Sequence, residues 1–205
     1  RPGAASVPAA PAPAPAAGAG DEDGAGDEGG DEGRGDGAQA PADGHSVPSP
    51  SLSPEVLSGY LTARTVRTRL AAGEKEAAIR EMAELAAGTG RVTDVAELVR
   101  VALAREAQGT TGLGEEIAVP HAKTDAVTAP VVCFARSAEG VEWGSPDGTK
   151  ARLVFMIAVP EAAAGDEHLR ILALLSRKLM DPDFRARLQE AEGTAEVLAV
   201  LAEIR

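Results

Sequence analysis

The sequence is poor in several things that would each point to a class of function. Among 205 residues there are one cysteine, one tryptophan, one tyrosine and three phenylalanines. The single thiol, Cys133, lies in the apolar run Val131-Val132-Cys133-Phe134, which excludes an internal disulfide and a cysteine-based metal centre and fits a reducing cytoplasm. With so few aromatic rings the core must be built from Ala, Leu, Val and Ile. No stretch approaches the roughly 18 to 20 consecutive apolar residues of a membrane-spanning helix. The first residues also lack the charged-then-apolar order of a signal peptide, so no direct membrane insertion of this chain is expected. Positive charge is scarce too: 20 Lys and Arg face 32 Asp and Glu, for a net charge of -12. That balance leaves no basic stripe to neutralise phosphates and argues against nucleic acid or anionic lipid as a partner, whereas a small basic protein would fit.

What is present divides at about residue 53. Residues 1–53 hold Ala-Pro alternation, then the acidic, Gly-rich block DEDGAGDEGGDEGRGDG, then PSPSLSP. Almost nothing there is apolar and larger than alanine, so no core offsets the entropy of ordering, and the segment reads as a disordered linker. Arg rather than Met at position 1 suggests a piece of a longer polypeptide in which this linker tethers the folded part.

Residues 54–205 read as one α/β domain. Thr65 to Leu70 alternates like a first strand, and Glu74 to Ala87 carries Ala78, Met82, Leu85 and Ala86 at helical spacing. Thr93-Asp94 can cap a helix whose apolar face is Val95, Leu98, Val99 and Leu103, ending near Gln108-Gly109. Strands are expected at Ile117 to Val119, Val131 to Ala135 and Leu153 to Val159, the last a continuous apolar run of the kind found in central strands. A helix from Asp166 is expected to turn Leu169, Leu172, Leu175 and Leu179 inward, and shorter helices over 182–190 and 194–204 close the chain. Helices before and after a block of strands imply a mixed β-sheet flanked by helices on both faces.

Three histidines carry the chemistry that can be read from the residues. His45 lies in the linker and has no evident partner. His121 follows the apolar run Ile117-Ala118-Val119 and Pro120, where strand ends meet loops and α/β folds keep their sites. His168 is in the first turn of a helix, whose free N–H groups favour an anion. A neutral imidazole beside an anion site describes a phosphorylatable nucleophile. No GxxxxGK[ST] loop is present, so the phosphoryl group would come from another protein rather than from ATP. A metal site built from the two histidines with Asp166 or Glu115 is a rival reading, without HExxH or similar clustered spacing to support it; Ser/His/Asp hydrolysis lacks a GxSxG elbow.

Ala104-Arg105-Glu106, together with Gly112-Leu113-Gly114-Glu115-Glu116-Ile117-Ala118-Val119-Pro120-His121-Ala122, resembles the active-site signature of IIA domains of the fructose/mannitol type in the bacterial sugar phosphotransferase system. Similarity continues through 140-GVEWGSPDG-148, 153-LVFMIAVP-160 and 167-EHLRILALLSRKL-179, covering the chain from about residue 54 to its end. The resemblance implies a cytoplasmic phosphocarrier without cofactor. It would accept a phosphoryl group from phospho-HPr on His121, through Nε2, and pass it to the cysteine of a IIB domain for uptake of a sugar, fructose first among the candidates. Tethering through further domains, including a membrane IIC domain in the same polypeptide, is compatible with it. His168 and Arg105 match the positions that hold or neutralise the phosphoryl group. Glu115 matches a position near the site, where an acid would orient or support rather than touch phosphate. A regulatory IIA-like module using the same histidine, and a silent scaffold, are the competing readings.

Overall fold

The computed structural model describes Leu57, residues 59–163 and residues 165–205; the linker expected over 1–53 lies outside the described residues. Its elements run β1 (Val66–Arg67), α1 (Lys75–Ala87), α2 (Val95–Ala107), β2 (Gly112–Gly114), β3 (Ile117–Ala118), β4 (His121–Lys123), β5 (Val131–Val141) and β6 (Ala151–Val159). A 3-10 turn at Glu161–Ala163 follows, then α3 (Asp166–Leu179), α4 (Pro182–Glu190) and α5 (Gly193–Leu201). Among the described residues no helix is long and apolar enough to cross a membrane.

The continuous apolar run Leu153 to Val159 becomes β6, the strand around which the six-stranded mixed sheet is laid. It pairs antiparallel with β5 on one side and parallel with β3 and β4 on the other, while β1 joins β5 and β2 joins β3. Side chains alternate across a strand, so β6 supplies two cores at once. Val154, Met156 and Ala158 pack with α1 and α2, and Leu153, Phe155, Ile157 and Val159 pack with Ile171, Leu175, Phe184, Leu188 and Val197 of α3 to α5. The only large rings in the sheet, Phe134 and Phe155, face each other across β5 and β6 at 4.8 Å between centroids. Asp94 caps α2 by accepting from the Glu97 amide at 3.0 Å, and Asp181 caps α4 in the same manner.

Three expectations need correction. β2 and β4 form strands where none was expected, and β5 runs on to Val141 through a register shift after Arg136. The strand end expected just before His121 is not there: across Pro120, Ile117 lies opposite Leu153, Ala118 opposite Val154 and His121 opposite Ile157, so pairing resumes in unchanged register. The ring removes one N–H, but the Pro120 carbonyl still accepts from the Ile157 amide at 3.1 Å. Leu169 is turned outward and 64% exposed. The buried stripe of α3 is His168, Ile171, Leu175 and Leu179, spaced by three, four and four, which leaves Leu169 about 100° round the helix.

Candidate active site

His121 opens β4, a three-residue strand paired only to β6. The alternation that sends Ala118 and Ala122 into the α1–α2 core and Ile117 and Val119 into the other turns His121 and Lys123 toward the α3 side of the sheet. There the His121 ring meets that of His168, 5.2 Å away between centroids and tilted by 46°. Arg105, on the last turn of α2, reaches the same ring at Nε2. An open cleft of about 460 Å³ joins these groups, lined by Arg105, Gln108, His121, Lys123, His168 and Leu169.

Both nitrogens of His121 are engaged, and their partners fix the tautomer. Nδ1 lies 2.9 Å from the Val119 carbonyl oxygen, which can only accept, so Nδ1 carries the proton. Nε2 receives the Nε–H of Arg105 at 3.2 Å and therefore presents its lone pair. The same guanidinium donates to the Gly109 carbonyl at 3.2 Å, tying the arginine to the end of its own helix. Burial pushes the His121 pKa below the ordinary imidazole value, the cations Arg105 and Lys123 push the same way, and the Val119 carbonyl and Glu106 push back. The ring is neutral at pH 7, with an sp² lone pair facing the cleft.

His168 differs. It is only 3% exposed and its Nδ1 has no partner. Burial, then the neighbouring His121, Lys123 and Arg105, push its pKa down to about 4. At neutral pH the positive charge of the cleft thus resides on Arg105 and Lys123. Glu167, next to His168, accepts the phenol hydroxyl of Tyr60 and is occupied.

The structure brings His121, His168 and Arg105 together and leaves Glu115 apart. Glu115 and Glu116 form the tip between β2 and β3 with φ of 52° and 63°, a left-handed conformation that costs about 1–2 kcal/mol per non-glycine residue. Asp147 accepts the Glu115 amide at 2.8 Å and Thr149 the Glu116 amide at 3.1 Å, which offsets part of that cost. The Glu115 carboxylate pairs with Arg185 at 2.8 Å beside a separate depression lined by Asp147, Thr149 and Gln189. Neither Glu115 nor Asp166 lines the histidine cleft, and among the described residues no three His, Cys, Asp or Glu side chains are grouped to hold a metal. Cys133 is buried in β5, its thiol pushed up to about 12 by burial, and is unsuited to nucleophilic work.

Lys123 and Glu106 were legible in principle but not singled out. Reading His121-Ala122-Lys123 as a strand puts the lysine on the face of the histidine. Glu106 continues the buried stripe Leu98, Val99, Ala102 of α2, where an acid is out of pattern.

Comparison with known proteins gives the family. The family described as "Phosphoenolpyruvate-dependent sugar phosphotransferase system, EIIA 2" matches residues 59–204. A "PTS system fructose-specific EIIA component" of Haloferax volcanii is 51% identical over 130 residues, covering 63% of this chain and 84% of that one. The nitrogen regulatory protein IIA-Ntr of Neisseria meningitidis superposes with a TM-score of 0.66 at 30% identity, covering 71% of this chain and 99% of that one. The mannitol enzyme IIA of Escherichia coli, solved in complex with phosphorylated enzyme IIB, superposes with a TM-score of 0.61 at 34% identity, covering 69% and 96%. The neutral histidine with its lone pair facing a cationic cleft thus sits in a chain that belongs to the type 2 EIIA family of the phosphoenolpyruvate-dependent sugar phosphotransferase system.

Proposed function

We propose that this chain carries a phosphoryl group on Nε2 of His121, taken from phosphohistidine of HPr and given to a IIB cysteine during uptake of fructose. The observation that carries this reading is the Nδ1–H to Val119 bond, which leaves Nε2 as the lone pair in the cleft. In the first transfer Nε2 attacks phosphorus, the P–N bond of the donor breaks, and its electron pair returns to the donor imidazole. No proton need leave Nε2. The phosphorylated ring, still protonated at Nδ1, bears positive charge that is stabilised by its Nδ1–H donating to the Val119 carbonyl, so it is held in place and remains a good leaving group. In the second transfer a cysteine thiolate attacks phosphorus and the Nε2–P bond breaks.

Arg105 must let go of Nε2 for the attack. Its guanidinium then has donors for the equatorial oxygens, with Lys123 as a second cation. His168, neutral and buried, walls the cleft without adding a like charge beside the nucleophile. Assignment to fructose rests on the 51% identity to the Haloferax volcanii protein, and assignment of a IIB acceptor on the Escherichia coli complex.

A regulatory role is the second reading, favoured by the likeness to the Neisseria meningitidis protein. Both share the first transfer and separate at the second. Incubation with phosphoenolpyruvate, Enzyme I and HPr should give an acid-labile phosphoryl group on this chain; addition of a fructose-type IIB should discharge it. No labelling would refute both readings, and labelling that no IIB discharges would favour the regulatory one.

A further inference from the structure

Glu106 is 8% exposed, one residue past Arg105 on α2, and its carboxylate is met by donors alone. Both oxygens accept the Thr111 amide at 3.1 Å, Oε2 also accepts the Thr111 hydroxyl, and Oε1 pairs with Lys75 Nζ at 2.9 Å. The Thr111 hydroxyl in turn accepts the Trp143 indole N–H at 3.1 Å. Burial alone would raise the pKa of Glu106, but Thr111 and Lys75 outweigh it and hold the acid below its ordinary range. Taking a carboxylate out of water is costly unless donors surround it. A glutamine of the same size could not replace it well, because its NH₂ would face donors that need an acceptor.

What this charge holds leads to the nucleophile. Glu106 fixes Thr111; the Thr111 carbonyl accepts the Val119 amide at 3.0 Å; the Val119 carbonyl accepts Nδ1–H of His121 at 2.9 Å. The Arg105 side is held separately by main-chain atoms: the Glu106 backbone carbonyl accepts the Gly109 amide at 3.2 Å, and the Gly109 carbonyl accepts Arg105, whose Nε–H meets Nε2, so this side does not depend on the carboxylate. The hydrogen bond that places the proton on Nδ1 of His121 thus traces back to the Glu106 carboxylate.

We infer that Glu106 is a positioning residue of this site, its carboxylate setting the tautomer and orientation of His121 through Thr111 and the Val119 carbonyl at Nδ1. The inference rests on His121 being the nucleophile, but its test does not need a phosphoryl donor. In the full chain, ¹⁵N shifts of the His121 ring should report the Nδ1–H tautomer at neutral pH. In Glu106→Gln they should move toward a mixture of the two tautomers, and acceptance from phospho-HPr should slow about 10- to 100-fold, the range seen when outer partners of a ligating histidine are removed. A merely structural role would lower the melting temperature and leave the ring signals in place. Unchanged ring signals in folded Glu106→Gln, or changed signals with an unaltered rate, overturn the inference. Should that variant not fold, Thr111→Val, which removes one donor to the same carboxylate at nearly constant shape, must shift the ring signals in the same direction, and failure to do so is equally decisive. If the unaltered chain accepts no phosphoryl group at all, the phosphocarrier reading fails, while the ring signals still decide the role of Glu106.

Discussion

The two histidines of the cleft stand 5.2 Å apart yet are supported in opposite ways. His121 is half-buried on a short edge strand, with a named partner at each ring nitrogen. His168 is sealed at the start of a helix, with Nδ1 bonded to nothing. Both are neutral at pH 7, so charge does not tell them apart. The difference lies in what neutrality is used for: a nucleophile needs a defined tautomer and an open lone pair, while a wall needs only to exclude water and withhold positive charge. A lone pair held at the cleft by Arg105, with the ring proton fixed on the other nitrogen, is the part of this site that chemistry requires.

The largest effect that can break this comparison comes from His121→Ala. Acceptance from phospho-HPr should vanish while circular dichroism and melting stay near those of the parent, because the residue lies on an edge strand and outside both cores. A labelled His121→Ala protein would transfer the nucleophile's role to His168. Next in size is Arg105→Ala, which should retain labelling at a rate lower by on the order of 10² to 10³, the cost of one well-placed donor to developing charge. His168→Gln should also still be labelled, more slowly, since the ring contributes surroundings and not the acceptor atom. If it were labelled at the parental rate, the proximity of the two rings would have no kinetic meaning.

A smaller effect separates the pair by pH. The folded pKa of His168, about 4, lies below its ordinary 6.5, so between these values the unfolded chain binds a proton that the folded chain refuses. The contribution is fully present above about pH 6.5 and is lost as pH falls toward 4. His168→Leu should flatten the decline of melting temperature over that window; an unchanged slope would mean that the ring is protonated in the fold. The smallest effect is expected of Glu115→Gln. Its carboxylate pairs with Arg185 away from the cleft, so labelling should stay within about twofold, the scale of exposed substitutions remote from special features. A larger loss would restore Glu115 to the site.

The same contrast explains what the sequence showed and what it hid. β6 was legible because it is apolar on both faces, and α1 because Ala78, Met82, Leu85 and Ala86 keep one helical stripe. β2 and β4 were not: Gly112 and Gly114 flatten the pattern of one, and His-Ala-Lys carries no period in three residues. Both become strands through their neighbours, β3 and β6, and not through propensity. Leu169 and His168 were exchanged in the reading of α3 because a leucine was preferred for an inward position that a neutral histidine fills. His121 and His168 were singled out by their places at a strand end and a helix start, and Arg105 by resemblance to a family signature, whereas the Val119 carbonyl and the Glu106 carboxylate have no signature, since their part depends on where the chain folds back. The same holds for the tautomer, which no residue type encodes and only a pair of partners can fix.

The central claim is that one nitrogen of one ring carries the phosphoryl group. Phosphorylation of ¹⁵N-labelled protein by phosphoenolpyruvate, Enzyme I and HPr, followed by detection of ¹⁵N–³¹P coupling, reads this directly. The account predicts a single coupled nitrogen, Nε2 of His121, with Nδ1 still protonated; coupling at Nδ1 of His121, or at either nitrogen of His168, would contradict it.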